Sequence, residues 1–133
     1  MNANLYHISL HPLLHSSAGT SMEQGGKTFQ IQQEVKIDRH FEIPFDEFAR
    51  KLTGHFDASY EYDGSFAFHA SGESISGTIG SDEDKLAFVE IHGCQSCETL
   101  HAICKLLQGQ STVIQLMELG VFIKPGDYQE LLH

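Results

Sequence analysis

The feature that most constrains the fold is an alternation of apolar and polar residues from Phe56 to Ala70, interrupted once by Asp63-Gly64. Successive side chains of a β-strand point to opposite faces, so this alternation predicts strands with one buried face. An Asp-Gly pair between two such runs is typical of a two-residue hairpin turn. We therefore predict a β-hairpin over this segment.

Two further turn signals extend the hairpin into a meander. Gly72-Glu73 and the acidic run at residues 81–84 are both rich in residues that favour turns. The segments that follow them are predicted to be a third strand and a fourth strand, the latter over residues 85–92. The sequence thus predicts a four-stranded antiparallel meander over about residues 56–92.

Two amphipathic segments flank the meander and are predicted to be helices. The first covers about residues 45–53: Pro44 precedes it, acidic residues begin it, basic residues end it and Gly54 follows it. The second covers about residues 96–108. Each has one apolar stripe, so we expect both to pack on one face of the sheet. At 133 residues, the chain is predicted to form a single α+β domain.

The segments outside this centre predict further strands. Residues 4–10 and 28–38 alternate in polarity, and the Gly/Ser-rich residues 15–26 between them are predicted to be a flexible loop. Residues 111–123 are apolar without a clear period; we expect strands, although a helix over the first part of this segment also fits. A short final helix is predicted after Pro125.

The charge of the chain limits its partners. Eighteen Asp and Glu against eight Lys and Arg give a formal net charge of -10, which repels phosphate backbones and anionic lipid. We therefore expect no nucleic-acid or membrane partner, but another protein or a peptide segment. No apolar run reaches the roughly 18 residues that a membrane span needs. Three cysteines and the absence of a basic leader segment predict a cytoplasmic, reduced protein.

No stretch matches a complete catalytic or cofactor motif. Residues 72–76 lack the closing glycine of a nucleophile elbow, and residues 77–80 are not a dinucleotide-binding fingerprint. The three histidines spaced four apart between His7 and His15 would align on a helix, but Pro12 argues against one, so we expect solvated side chains. The sequence favours a protein that is not an enzyme and has no cofactor.

The chemical feature that remains is a cluster of thiols and an imidazole. Cys94 and Cys97 lie at a predicted strand-to-helix junction, where a helix N-terminus would lower a thiol pKa as in thioredoxin-like motifs. Cys97, His101 and Cys104 share one helix face and, with Cys94, could bind a tetrahedral zinc ion. In the alternative interpretation, the cysteines are small buried apolar residues. A thiol-redox or zinc-binding protein is therefore one alternative function.

Three segments carry a resemblance to a known family. Phe45–Gly54, Tyr60–Phe68 and Leu86–Ile91 look like the first helix and following strands of the class I type III secretion chaperones, the Tir chaperone-like family. The resemblance covers residues 45–132 at most. It implies a homodimer that holds a non-globular segment of a partner protein by strand addition and pocket contacts, without ATP.

We therefore interpret the chain as a non-enzymatic protein-binding module, either chaperone-like or adaptor-like. The candidate partner-binding residues are apolar strand residues, which would otherwise build the core: Phe66, Phe68, Ile75, Ile79 and Phe88. A second alternative is an acidic inhibitor or immunity-type protein that covers a basic site with carboxylates such as Asp57, Glu61 and Asp82–Asp84.

Overall fold

Antiparallel pairing organises the chain from one end to the other. The computed structural model describes residues 4–132 and has this element order: β1 His7–Gln24, β2 Lys27–Ile37, α1 Phe45–Phe56, β3 Ser59–Tyr60, β4 Ser65–Ala70, β5 Glu73–Asp82, β6 Lys85–His92, α2 Cys97–Lys105, β7 Thr112–Leu116, β8 Val121–Ile123 and α3 Pro125–Leu132. Every pairing between named strands is antiparallel. The predicted α+β class is confirmed.

The predicted meander is present as β3 to β6, and it differs from the prediction in its first strand and in the turn that follows. Helix α1 continues through Gly54 to Phe56 and ends at Asp57, whose φ of 53° places it in the left-handed region. Phe56 is therefore helical, and β3 contains two residues. The turn after β3 is also longer than the predicted two residues, because Glu61 begins a tight turn that leaves Tyr62 outside the ladder.

The predicted loop over residues 15–26 is instead the outer half of β1 and the turn that follows it. This half of β1 pairs with β2 from Leu13–Ile37 to Gln24–Lys27, with several register shifts. Gly25 and Gly26 both have positive φ, as a two-residue hairpin turn requires. Its side chains are largely solvated, which is compatible with the polar composition of the segment. Backbone hydrogen bonds to β2 hold the strand in place. The predicted strands within residues 111–123 are confirmed as β7 and β8.

The two halves of β1 have different neighbours. The inner half lies between β6 and β7, and the outer half pairs with β2. Gln32 of β2 pairs in turn with Phe122 of β8. Hydrogen-bonded pairing therefore forms a closed ring of four strands in the order β1, β2, β8 and β7. The sheet continues from β1 through β6, β5 and β4 to β3.

All three helices pack on one face of the sheet and share one apolar core with it, as predicted for α1 and α2. The helices contribute Phe48 and Leu52, Leu100 and Ile103, and Tyr128 and Leu131; the central strands contribute Ile8, Leu10, Val89 and Ile91. The buried Tyr128 hydroxyl donates a hydrogen bond of 2.7 Å to the Leu5 carbonyl, which fixes α3 to the start of the described chain. No helix within residues 4–132 combines the length and apolarity needed to cross a membrane.

Two glycines on β5 allow aromatic rings to lie flat against the sheet. A Cβ atom on Gly77 would come within 2.6 Å of the Phe66 ring on the helix-covered face and would also strike the Glu90 carbonyl oxygen. A Cβ atom on Gly80 would come within 2.6 Å of several atoms of the Phe88 ring. Each glycine pairs directly with the aromatic residue whose ring covers it. Glycine is therefore required at both positions for close packing.

Candidate functional site

The sheet face that carries no helix, which we call the helix-free face, displays polar and aromatic side chains. Directly paired residues of an antiparallel ladder point to the same side, so the registers identify these side chains. They include His7, Ser9 and His11 of β1, Phe88, Glu90 and His92 of β6, Gln115 of β7 and Phe122 of β8. Their strand neighbours, such as Ile8 and Val89, face the core instead.

Three of these side chains form a cluster of possible metal ligands, which we call the His–Glu–His cluster. His7 and His92 are directly opposite each other on β1 and β6, and their rings stack with centroids 3.9 Å apart. Glu90 lies beside both: its Oε2 is 3.2 Å from His7 Nε2 and its Oε1 is 4.0 Å from His92 Nε2. One ligand atom from each residue lies within 4.8 Å of those of the other two.

His11, further along the same face of β1, has a more apolar environment. Its ring centroid lies 6.3 Å from those of both Phe88 and Phe122, and its Nε2 is 3.2 Å from the side-chain oxygen of Gln115. Burial among these groups lowers the pKa of His11, because a charged imidazolium is poorly solvated there, and the hydrogen bond to Gln115 opposes this shift. The neutral imidazole is therefore favoured.

A cleft of about 650 Å³ opens where α1 begins, beside the turns of the meander. We call it the aromatic–acidic cleft because its walls combine rings with carboxylates. Its lining comes from the start of α1, from β3 and the following turn, and from the sheet: Phe45, Asp46, Tyr60, Tyr62, Asp63, Thr78, Ile79, Gly80, Ser81 and Phe88. The Tyr62 side chain is fully exposed, whereas Leu14, the other exposed large apolar residue within residues 4–132, is 58 % exposed.

The ionisable groups of the aromatic–acidic cleft are held in definite states. Partial burial raises the pKa of Tyr60, and the nearby carboxylates of Asp46 and Asp63 raise it further, so its hydroxyl remains a donor. The pKa of Asp63 is lowered by the backbone N–H of Ser65, which donates to Asp63 Oδ1 over 3.0 Å. The rim of the cleft therefore carries a fixed negative charge at neutral pH.

The candidate partner-binding residues separate into two groups. Four of them are at most 4 % exposed and belong to the core under the helices: Phe66, Phe68, Ile75 and Ile79. Alternation places them on the face that α1 and α2 cover; of these four residues, Ile79 also lines the aromatic–acidic cleft. Phe88 lies on the opposite face, where it is partly exposed and lines the aromatic–acidic cleft.

The cysteine cluster does not form a common site. Cys94 is buried, and burial raises its thiol pKa to about 11; burial also raises the pKa of Cys104 to about 11. Burial therefore opposes the predicted activation of Cys94, since desolvation disfavours the thiolate. His101 is exposed, and no group of three converging ligand atoms within the described chain includes a cysteine sulfur. Within the described residues, no disulfide joins any two of the three cysteines.

The acidic residues proposed for an inhibitor surface are dispersed. Asp57 and Glu61 are exposed near the two ends of β3. Asp82, at the turn between β5 and β6, forms an ion pair with Arg39, as does its neighbour Glu83. Part of this charge is therefore already paired within the molecule.

The His–Glu–His cluster was missed by the sequence prediction, which treated His7 as a solvated side chain. The signal available was local: Glu90 and His92 are two apart on a strand and so share a face. The position of His7 depends on the pairing of β1 with β6, which no local pattern specifies. Comparisons with protein-family models, with curated proteins and with solved structures found no match to this chain.

Proposed function

We propose that the protein is a non-enzymatic binding module that holds a segment of a partner polypeptide in the aromatic–acidic cleft. The observation that carries this proposal is the composition of that cleft. Tyr60, Tyr62 and Phe88 line it together with the carboxylates of Asp46 and Asp63. A segment that combines apolar and basic side chains is the chemistry that fits.

The aromatic residues supply the contact area. Tyrosine side chains are enriched at the centres of protein interfaces because they bury a large rigid ring and keep a hydroxyl for hydrogen bonding. The fully exposed Tyr62 has most to gain from a partner, since its whole ring faces solvent in the free protein. Phe88 is held in place against Gly80 and forms a prearranged wall.

The charge of the cleft selects the partner. Asp46 and Asp63 stand beside the rings, and the chain as a whole carries a net charge of -10. A Lys or Arg side chain would meet carboxylates and aromatic faces together, which favours it by ion pairing and by cation–π attraction. Because the cleft lies at the surface, the ionic part of the affinity would decrease as the salt concentration rises.

Selection of displayed random peptides on the immobilised protein would test this proposal. We expect enriched peptides to combine Lys or Arg with aliphatic or aromatic residues. Fluorescence polarisation of one enriched peptide should then show binding at least about tenfold weaker for Tyr62→Ala and for Asp63→Asn, given that interface anchors contribute about 2 kcal/mol or more.

Asp57→Asn provides the matched control, because Asp57 is an exposed carboxylate outside the cleft lining. It should leave the peptide affinity within about twofold of the original chain. If no peptide is enriched, or if the cleft variants bind as tightly as the control, the proposal is wrong.

The resemblance to secretion chaperones extends the proposal to a homodimer in a reducing, cytoplasmic compartment. The odd number of cysteines, three, supports the reducing environment, since secreted domains stapled by disulfides usually carry an even number. Sedimentation equilibrium would test the dimer: a mass twice the 14.8 kDa of the chain is expected, and a monomer at all accessible concentrations would contradict it.

A further inference from the structure

We infer that the His–Glu–His cluster on the helix-free face is a binding site for one divalent transition-metal ion of the zinc type, with His7, Glu90 and His92 as its ligands. This inference is independent of the proposed polypeptide binding. The cluster lies on β1 and β6 and shares no residue with the lining of the aromatic–acidic cleft.

The backbone positions of the ligands are fixed by the sheet. His7 and His92 are cross-strand partners within the ladder of β1 and β6, and β5 continues the sheet beyond His92. The carbonyl of His7 accepts a hydrogen bond from Met117, and the N–H of Gly93, next to His92, donates to Tyr6. Ligands on paired strands keep their spacing without a bound ion, so little ordering is needed when one binds.

The distance from His7 Nε2 to Glu90 matches the spacing of donor atoms in a zinc site, and the distance from His92 Nε2 to Glu90 is longer. Metal–ligand bonds of about 2.0–2.1 Å in a tetrahedron place neighbouring donor atoms roughly 3.3 Å apart. The separation of His7 Nε2 from Glu90 Oε2 is 3.2 Å, and that of His92 Nε2 from Glu90 Oε1 is 4.0 Å. These side chains are partly exposed and their backbone is fixed by the sheet. Rotation of the side chains would bring His92 Nε2 to the spacing of a zinc ligand.

The ligand set selects the kind of ion. Two imidazoles with one carboxylate suit zinc, cobalt, nickel or copper, whereas magnesium and calcium prefer oxygen ligands. The side chains are 26 % (His7), 29 % (Glu90) and 47 % (His92) exposed, so the cluster is open to solvent on one side. A bound ion would therefore keep a coordination position for water or for a group from a partner.

If these residues bind no metal, they form only a hydrogen bond between His7 and Glu90 and a stack of two imidazole rings. Titration of the intact chain with metal distinguishes the two cases. Isothermal titration with ZnCl₂ at pH 7.5 should give one site per chain, whereas MgCl₂ should give no heat. In NMR spectra of the original protein, zinc should shift the imidazole resonances of His7 and His92 before those of the other seven histidines.

Variants test the assignment. His7→Ala, His92→Ala and Glu90→Gln should each weaken zinc binding at least about tenfold, because each removes one of three protein ligands. His69→Ala is the matched control: His69 is also an exposed histidine of the same sheet, paired with Ser74 rather than with the cluster, and its removal should not change the affinity.

Two results would overturn the inference. One is the absence of one-site zinc binding to the intact chain. The other is a zinc affinity that is the same in His7→Ala, His92→Ala and His69→Ala, which would assign the binding to scattered surface histidines. The NMR measurement uses the unmodified chain, so the inference stays testable even if a variant folds poorly.

Discussion

Replacement of Gly77 by alanine tests the packing that places the aromatic rings against the sheet. The new methyl group would lie within 2.6 Å of the Phe66 ring and would strike the carbonyl oxygen of Glu90. Overpacking of this kind costs about 1–3 kcal/mol, and we expect the upper end because one of the two neighbours is backbone in a strand ladder. The change from Gly to Ala also lowers the conformational entropy of the unfolded chain, which offsets up to about 1 kcal/mol of the overpacking cost.

The expected net loss is therefore about 2 kcal/mol in the free energy of unfolding. For a urea m-value of about 2 kcal/mol/M, the midpoint should fall by about 1 M. Far-UV circular dichroism is the suitable probe, since the chain contains no tryptophan. The second change Phe66→Leu should recover part of the loss, because it removes one of the two clashes while the backbone clash remains.

Gly54→Ala is the matched control for the Gly77 experiment. Gly54 lies within α1, and a Cβ atom there would meet no atom within 4 Å. The same Gly-to-Ala change should therefore stabilise the protein by about 0.5–1 kcal/mol, the difference in helix propensity. A Gly77→Ala protein as stable as the original, with Gly54→Ala behaving as expected, would refute the close approach of β4, β5 and β6.

Three further predictions concern single buried groups. The pKa of His11 is lowered in the folded state, so the unfolded state binds more protons. The free energy of unfolding should therefore fall as the pH drops through about 6.5. His11→Gln should reduce the difference between the urea midpoints measured at pH 7.5 and pH 5.5. Because burial raises the pKa of Cys94 to about 11, iodoacetamide at pH 8 should modify Cys97 first, and peptide mass spectrometry showing faster labelling of Cys94 would contradict its burial. Tyr128→Phe should lower stability by about 1–2 kcal/mol in urea unfolding, since it leaves the Leu5 carbonyl without its donor, and an unchanged midpoint would mean that this hydrogen bond is unimportant.

The parts of the fold that local patterns determine could be predicted from the sequence. The alternation around Phe66 and Phe68 identified β4, and the charge order within α1 identified that helix. The outer half of β1 could not be predicted, because its residues are polar on both faces and the strand is held by its backbone ladder with β2. Amino-acid composition indicates which side chains are buried, and few side chains of this segment are buried.

The site was less predictable than the fold for a related reason. Alternation correctly separates Phe66 from its strand neighbours Ser65 and Ala67, but it does not say which face the helices will cover. The same ambiguity applies to Phe88, which looks like a core residue in sequence and lies on the helix-free face. The contact between His7 and His92 depends on the register between two strands that are far apart in sequence, which short-range patterns do not encode.

The position of β1 also determines the order in which the protein can fold during synthesis. The hairpins of β4, β5 and β6 join residues close in sequence, so they can form while the rest of the chain is still being made. The inner half of β1 pairs with β6 and with β7, and β7 leaves the ribosome late. The inner half of β1 must therefore wait for partners far along the chain, and closing this long loop should be the slow step of folding. Until then the edge of β6 is unpaired, which makes that intermediate the species most exposed to aggregation.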